Sequence, residues 1–401
     1  MTVAKPGRPR KPPRLSLDAV ALDPATKIIV CCGAGGVGKT TTAAAVALRA
    51  AEAGRHVVVL TIDPARRLAQ SMGLDQLDNT PRAVLGIDHT AGGHLDAMML
   101  DMKRTFDEVV HAHATPEKAA QILANPFYQA VSSSFAGTQE YMAMEKLGQL
   151  RAQADRPQSD RSGNHWDLIV VDTPPSRSAL DFLDAPSRLG SFLDGRFIRL
   201  LAAPAKAGGR AYVKVLSAGV TAVTNTLTKV LGGQMLTDVQ TFVAALDTMF
   251  GGFRERADHT YALLKDEGTA FLVVAVPERD ALREASYFVD RLAQESMPLA
   301  GLVLNRVYAG SVPGLSAARA AAAAAELADP DSAASASPTA PVTAGLLQVQ
   351  AMAAEASARH QAMARRFAAG HPGIATAQVP AAAHDIHDLD GLRRIGSALA
   401  G

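Results

Sequence analysis

Eight consecutive residues, Gly33-Ala34-Gly35-Gly36-Val37-Gly38-Lys39-Thr40, follow the spacing G-x-x-x-x-G-K-[ST]. Glycines at these positions let the backbone curve tightly, so that its N–H groups point inward at phosphate oxygens. A helix beginning directly after the curve offers its positive dipole end to the same anion. Lys39 is then placed to neutralise the β and γ phosphates, and Thr40 to ligate magnesium. A bare strand-to-helix turn needs neither side chain. The chemistry implied is the binding and cleavage of ATP with Mg2+.

Two carboxylates fall where such chemistry would use them. Leu168-Ile169-Val170-Val171-Asp172 is an apolar run ending in an acid, the placement of a group that holds the magnesium shell. Asp63 ends the run from Val57 to Ile62 and precedes Pro64-Ala65-Arg66-Arg67, where it is placed to orient or deprotonate an attacking water. Taken alone, each Asp reads equally well as a turn or helix-cap residue.

These groups must be held by a sheet. Lys27 to Cys32, His56 to Asp63, Leu168 to Asp172, Thr269 to Val276 and Leu299 to Val307 are continuously apolar and rich in β-branched residues, with His94 to Leu100 and Ala375 to Pro380 as weaker candidates. Helical stretches alternate with them, starting with Thr41 to Ala53 and its stop at Gly54. The pattern predicts an α/β fold with a doubly wound, mostly parallel sheet, whose ligand crevice lies at the carboxyl ends of the strands. Residues of about 103–155 and 183–265 break the alternation and predict an inserted α-helical subdomain. Within it, Val239, Phe242, Leu246 and Met249 share one apolar helical face.

An Ala-rich helix is expected near 316–327, a mobile loop over 328–343, where small, polar and proline residues gather, and a last helix over 346–368. Lys5, Arg8, Arg10, Lys11 and Arg14 lie among prolines, so residues 1–24 read as a disordered basic arm ahead of one domain, 25–401. The chain has 401 residues, 48% of them apolar, which suffices for a large core. A net charge of +1 argues against a nucleic-acid surface. No run of about 18 apolar residues marks a membrane span, and with no signal peptide evident the expected location is cytoplasmic.

With these pieces in place, the sequence resembles the arsenite-pump and tail-anchored-protein-targeting ATPases, the ArsA-type branch of the deviant Walker A proteins. The resemblance covers most of residues 27–310. It rests on Gly35-Gly36-Val37-Gly38-Lys39-Thr40-Thr41, on Thr61-Ile62-Asp63-Pro64-Ala65 like the family's switch I, and on Val171-Asp172-Thr173-Pro174-Pro175-Ser176 like its switch II. Val276-Pro277-Glu278 and Leu304-Asn305-Arg306 match later family segments. The resemblance implies a P-loop ATPase in which residues 33–41 bind nucleotide, Asp63 activates water with Lys39 at the phosphates, and Asp172 acts on magnesium through water. It also implies that Asn305 contacts adenine, and that a dimer opens and closes with nucleotide state.

The sequence also departs from the family. Where the deviant loop carries a lysine that reaches the partner's phosphates, this chain has Ala34. Losing such a cation resembles losing an arginine finger, worth on the order of a thousandfold in rate. The expectation is pairing with a paralogous subunit that keeps the lysine, beside pairing with self. Arg66, Arg67 and Arg177 are local substitutes for the lost charge, or surface ion-pair residues.

The two cysteines, Cys31 and Cys32, are adjacent on a strand, so their side chains diverge and build no thiolate metal site. His384 and His387, beside Asp385 and Asp388, read as a solvated capping turn in preference to a ligand pair. Phe192, Phe197, Val215, Leu216, Val220, Val223, Leu227, Met235, Phe242, Met249 and Phe250 read as helix core, or by resemblance as a groove for a hydrophobic client helix.

Overall fold

The computed structural model describes residues 13–63, 67–126, 128–129, 138–155, 165–174, 255–308 and 312–400. Their centre is an eight-stranded sheet: β1 Ile28–Gly33, β2 His56–Thr61, β3 Arg82–Ala83, β4 His94–Met99, β5 Leu168–Asp172, β6 Thr269–Ala275, β7 Leu299–Val307 and β8 Thr376–Pro380. The strand order is β3-β4-β2-β5-β1-β6-β7-β8, parallel except where the two-residue β3 runs against β4. Every strand expected from its apolar run is present, with ends shifted by a residue or two.

Continuous burial explains the runs. All six residues of β1 and all seven of β6 are buried, because helices cover both faces. Along β1 the faces alternate: Ile28, Val30 and Cys32 join one core, Ile29 and Cys31 the other.

On the second face lie α1 Leu17–Ala21, α2 Lys39–Glu52 and α3 Arg67–Ser71. α2 is packed so closely that Ala43 to Leu48, Ala50 and Ala51 are all buried. On the first face lie α4 Met102–His113, α5 Pro116–Leu123, α6 Thr138–Ala154 and α7, residues 255–265. α8 Arg279–Gln294 packs there through Leu282, Ala285, Phe288 and Leu292. α9 Ala317–Ala328 pairs with the long α10 Ala340–Gly370, and α11 Leu389–Ala400 closes the chain over α2.

Within 103–155 the described residues form α4, α5 and α6 with short links between them, and residues 127 and 130–137 lie outside the described residues. Of 183–265, only α7 is described, so Val239, Phe242, Leu246, Met249 and the rest of the expected client groove lie outside the described residues. None of the described helices is long and apolar enough to cross a membrane.

Residues 13–24 correct the expectation of a disordered arm reaching 24. Leu15 and Leu17 are buried, Arg14 bridges to Thr376, and Arg49 on α2 forms an ion pair with Asp18 at 2.5 Å. Buried Arg55 donates to the carbonyls of Ala21, Asp23 and Thr26. The apolar residues here, Leu15, Leu17 and Ala21, outweigh the flanking charge by having a core to enter. Within 328–343 there is a 3-10 turn, Ala333–Ala336, and the first turn of α10.

Candidate functional site

The loop from Gly33 to Gly38 joins the carboxyl end of β1 to α2, beside β5 and β6 in mid-sheet. Gly36 and Gly38 have φ of +76° and +94°, left-handed values that L side chains rarely adopt. At Gly38 space is also short, since a Cβ there would collide with the Asn305 amide. Gly38 is the N-cap residue of α2, so the free N–H groups of that helix open onto the loop.

Lys39 is buried, and its Nζ donates to the Ala34 carbonyl at 2.9 Å. Burial pulls its ammonium below the usual lysine range, while Asp172, and more weakly Asp63, push it back up. Both carboxylates therefore act on the same cation. Asp172 ends β5 with no exposed surface, and its Oδ2 accepts from the Thr61 hydroxyl at 2.8 Å. Burial lifts its carboxyl to about 6, against the opposing pull of Thr40, Thr61 and Lys39.

The other oxygen, Oδ1 of Asp172, is buried and has no hydrogen-bond partner. An orphaned carboxylate oxygen costs free energy unless something positive meets it. With Thr40 beside it, this oxygen fits a hydrated Mg2+, an all-oxygen site of the kind that ion accepts. Asp63 lies just past β2 on the same cleft.

A cleft of about 1250 Å³ runs from this loop across the carboxyl edge of the sheet. Gly36, Gly38, Lys39, Thr40, Thr41 and Asp63 line one end, Asn305, Arg306, Tyr308 and His360 another part of the wall. Asn305 is buried near the end of β7. Its Nδ2 donates to the Val37 carbonyl at 2.9 Å, and its Oδ1 accepts from the Arg306 N–H at 2.9 Å. Arg306 has φ of +55°, a strained value where the β7–β8 register shifts. One amide hydrogen and one oxygen lone pair of Asn305 remain for a ligand.

The structure thus gathers Lys39, Thr40, Asp63, Asp172 and Asn305 around one loop. The pairing of Tyr308 with His360 escapes sequence reading. The Tyr308 N–H donates to His360 Nδ1 at 3.1 Å, and the rings stand 5.2 Å apart. These residues are 52 positions apart, and no short motif joins them. Of Arg66, Arg67 and Arg177, Arg67 lines the cleft, while Arg66 and Arg177 lie outside the described residues.

Cys31 and Cys32 are both buried, one in each core. Burial raises both thiols, that of Cys32 to about 12. His384 and His387 also line the cleft. Nearby, the Asp388 carboxylate caps α11 through the Gly391 N–H at 2.7 Å, in keeping with a capping turn. Among the described residues, no group of three or more His, Cys, Asp or Glu is arranged to hold a metal.

The sequence profile described as "Anion-transporting ATPase" matches residues 26–324, which include the loop, both carboxylates and Asn305. The chain belongs to this family. This ATPase is similar to "ATPase GET3" of Malassezia globosa, 25% identical over 289 residues, covering 70% of the chain and 72% of that relative. It is similar to "Protein Rv2184c" of Mycobacterium tuberculosis, 30% identical over 181 residues, 42% of the chain and 39% of that protein. A "Putative arsenical pump-driving ATPase" of Halobacterium salinarum is 28% identical over 185 residues, 46% of the chain and 27% of its own length. The ATPase continues past the matched residues with the last turn of α9 and all of α10, β8 and α11.

Proposed function

We propose that this ATPase binds Mg-ATP in the mid-sheet cleft and works as half of a dimer whose other half is a related subunit supplying a lysine. Supporting the nucleotide reading are the left-handed glycines, the N-terminus of α2 and the buried Lys39, which together form an anion site. Lys39 exchanges the Ala34 carbonyl for phosphate oxygens. Thr40 and Asp172 hold the magnesium, which supplies positive charge against the phosphate oxygens when bound. Asp63 orients the attacking water, and the remaining valences of Asn305 meet the adenine, with Tyr308 and His360 close by.

The observation that carries the pairing is Ala34. Its side chain is a buried methyl group, and it brings no cation to either copy of a homodimer. Lysine supplied from a related subunit would complete the site on this chain and leave the partner's own site unassisted. Hydrolysis then shifts the helices packed on the first face of the sheet. The experiment is affinity isolation from the native host followed by native mass measurement. A second, related subunit in the complex supports the pairing; a homodimer with full hydrolytic activity opposes it.

A second reading, the soluble ATPase of an anion or metalloid exporter, draws on the family description and on the Halobacterium relative's name. Both thiols are buried on opposite faces of β1, which disfavours a cysteine-built metalloid site.

A further inference from the structure

Past the end of β2 the sheet satisfies only part of the backbone. The Thr61 carbonyl is the last to join the β2–β4 ladder, accepting from the Leu100 N–H at 2.9 Å. Ile62 follows, buried, with its N–H bound to the Asp172 carbonyl at 3.0 Å. Its own carbonyl needs a partner from elsewhere. That partner is Gln139, whose Nε2 donates to it at 2.8 Å.

Gln139 is the second residue of α6. The helix is firmly seated: Tyr141, Met142, Met144, Leu147 and Leu150 are buried in the same core as Ile62. Glu145, six residues further on, binds Arg256 of α7 at 3.0 Å. One side-chain amide thus joins the helical layer to the backbone one residue before Asp63.

We propose that Gln139 is a positioning residue, which fixes the peptide leading into Asp63 and transmits movement of that peptide to α6 and α7. This rests on reading the cleft as the nucleotide site with Asp63 beside the reacting phosphate. With the Ile62 N–H held by Asp172 and its carbonyl by Gln139, a shift of this peptide with Asp63 toward a phosphate requires α6 to follow or the Gln139 hydrogen bond to break. The buried Asp96, bound to Trp166 and His94, has both oxygens satisfied, and nothing shows what would cover the exposed Val342, Leu346, Val349 and Met352 of α10.

The test is hydrogen exchange on the full chain and on Gln139→Met, which keeps the length and apolar stem but removes the donor. Without nucleotide, the variant should exchange about fivefold faster over residues 62–71, the change expected for one net hydrogen bond, with β1 and β6 unaltered. Unchanged exchange there overturns the positioning role whatever the cleft binds. With magnesium and a non-hydrolysable ATP analogue, the wild type should slow over 39–50 and 139–150, and the variant over 39–50 alone. Equal slowing of 139–150 in both proteins, or none in the wild type while 39–50 slows, overturns the coupling. Absence of slowing over 39–50 in the wild type counts against the nucleotide reading itself, and the nucleotide-free comparison still decides the role of Gln139.

Discussion

Asn305 and Val37 lie 268 positions apart in sequence, yet the amide of one donates to the carbonyl of the other at 2.9 Å. The end of β7 therefore braces the phosphate loop. Asn305→Ala removes a buried bond worth about 1 kcal/mol, so nucleotide affinity should fall roughly fivefold to tenfold. Calorimetric titration with an ATP analogue checks this, and preference for ATP over GTP should weaken together with affinity. Undiminished affinity would show that the brace does not matter to the loop.

Gly38→Ala should be far more damaging. The substitution forces a Cβ into the Asn305 amide at a φ of +94°. Strain of about 1–3 kcal/mol at this point should abolish measurable nucleotide binding and lower the melting temperature. Adding Asn305→Ala should recover part of the stability, because the steric clash is gone while the strained φ remains.

Asp172→Asn separates metal binding from folding. Burial lifts the carboxyl to about 6 from an ordinary value of 3.8, so the folded chain holds the extra proton between those values. Its favourable contribution is complete below about pH 3.8 and lost as pH rises through 6. At pH 8 a neutral Asn should therefore leave the melting temperature unchanged or higher. The variant should also bind ATP equally well with magnesium and with EDTA, while the wild type binds more tightly with the metal.

Asp18 gives the opposite sign. Its hydrogen bond to Arg49 holds the carboxyl below the usual range. The resulting stability is present above about pH 3.8 and lost as pH falls through the lowered value. Both groups are about a third exposed, so Asp18→Asn should cost only about 0.5–1 kcal/mol at pH 7. Urea unfolding at pH 7 and pH 3 checks it, and the two proteins should converge in acid.

What the sequence shows and what it hides follow from range. The loop, Asp63 and Asp172 are legible because each sits within a few residues of the strand that positions it. The buried strands announce themselves by runs such as Leu168 to Val171, where both faces must be apolar. Links such as Asn305 to Val37, Tyr308 to His360 and Gln139 to Ile62 depend on where distant elements cross, which local pattern does not encode. Residues 13–24 misled for a related reason: proline and arginine suggest solvent, and only the assembled core shows Leu15 and Leu17 a place to go.

On the proposed function, this ATPase grips nucleotide through Lys39 and Thr40 but brings no cation to the phosphates from Ala34. Phosphate release by the purified chain, compared with Ala34→Lys and Lys39→Ala, tests it most directly. The wild type should release phosphate slowly, Ala34→Lys at least tenfold faster, and Lys39→Ala not above background. A wild-type rate equal to that of Ala34→Lys would contradict it.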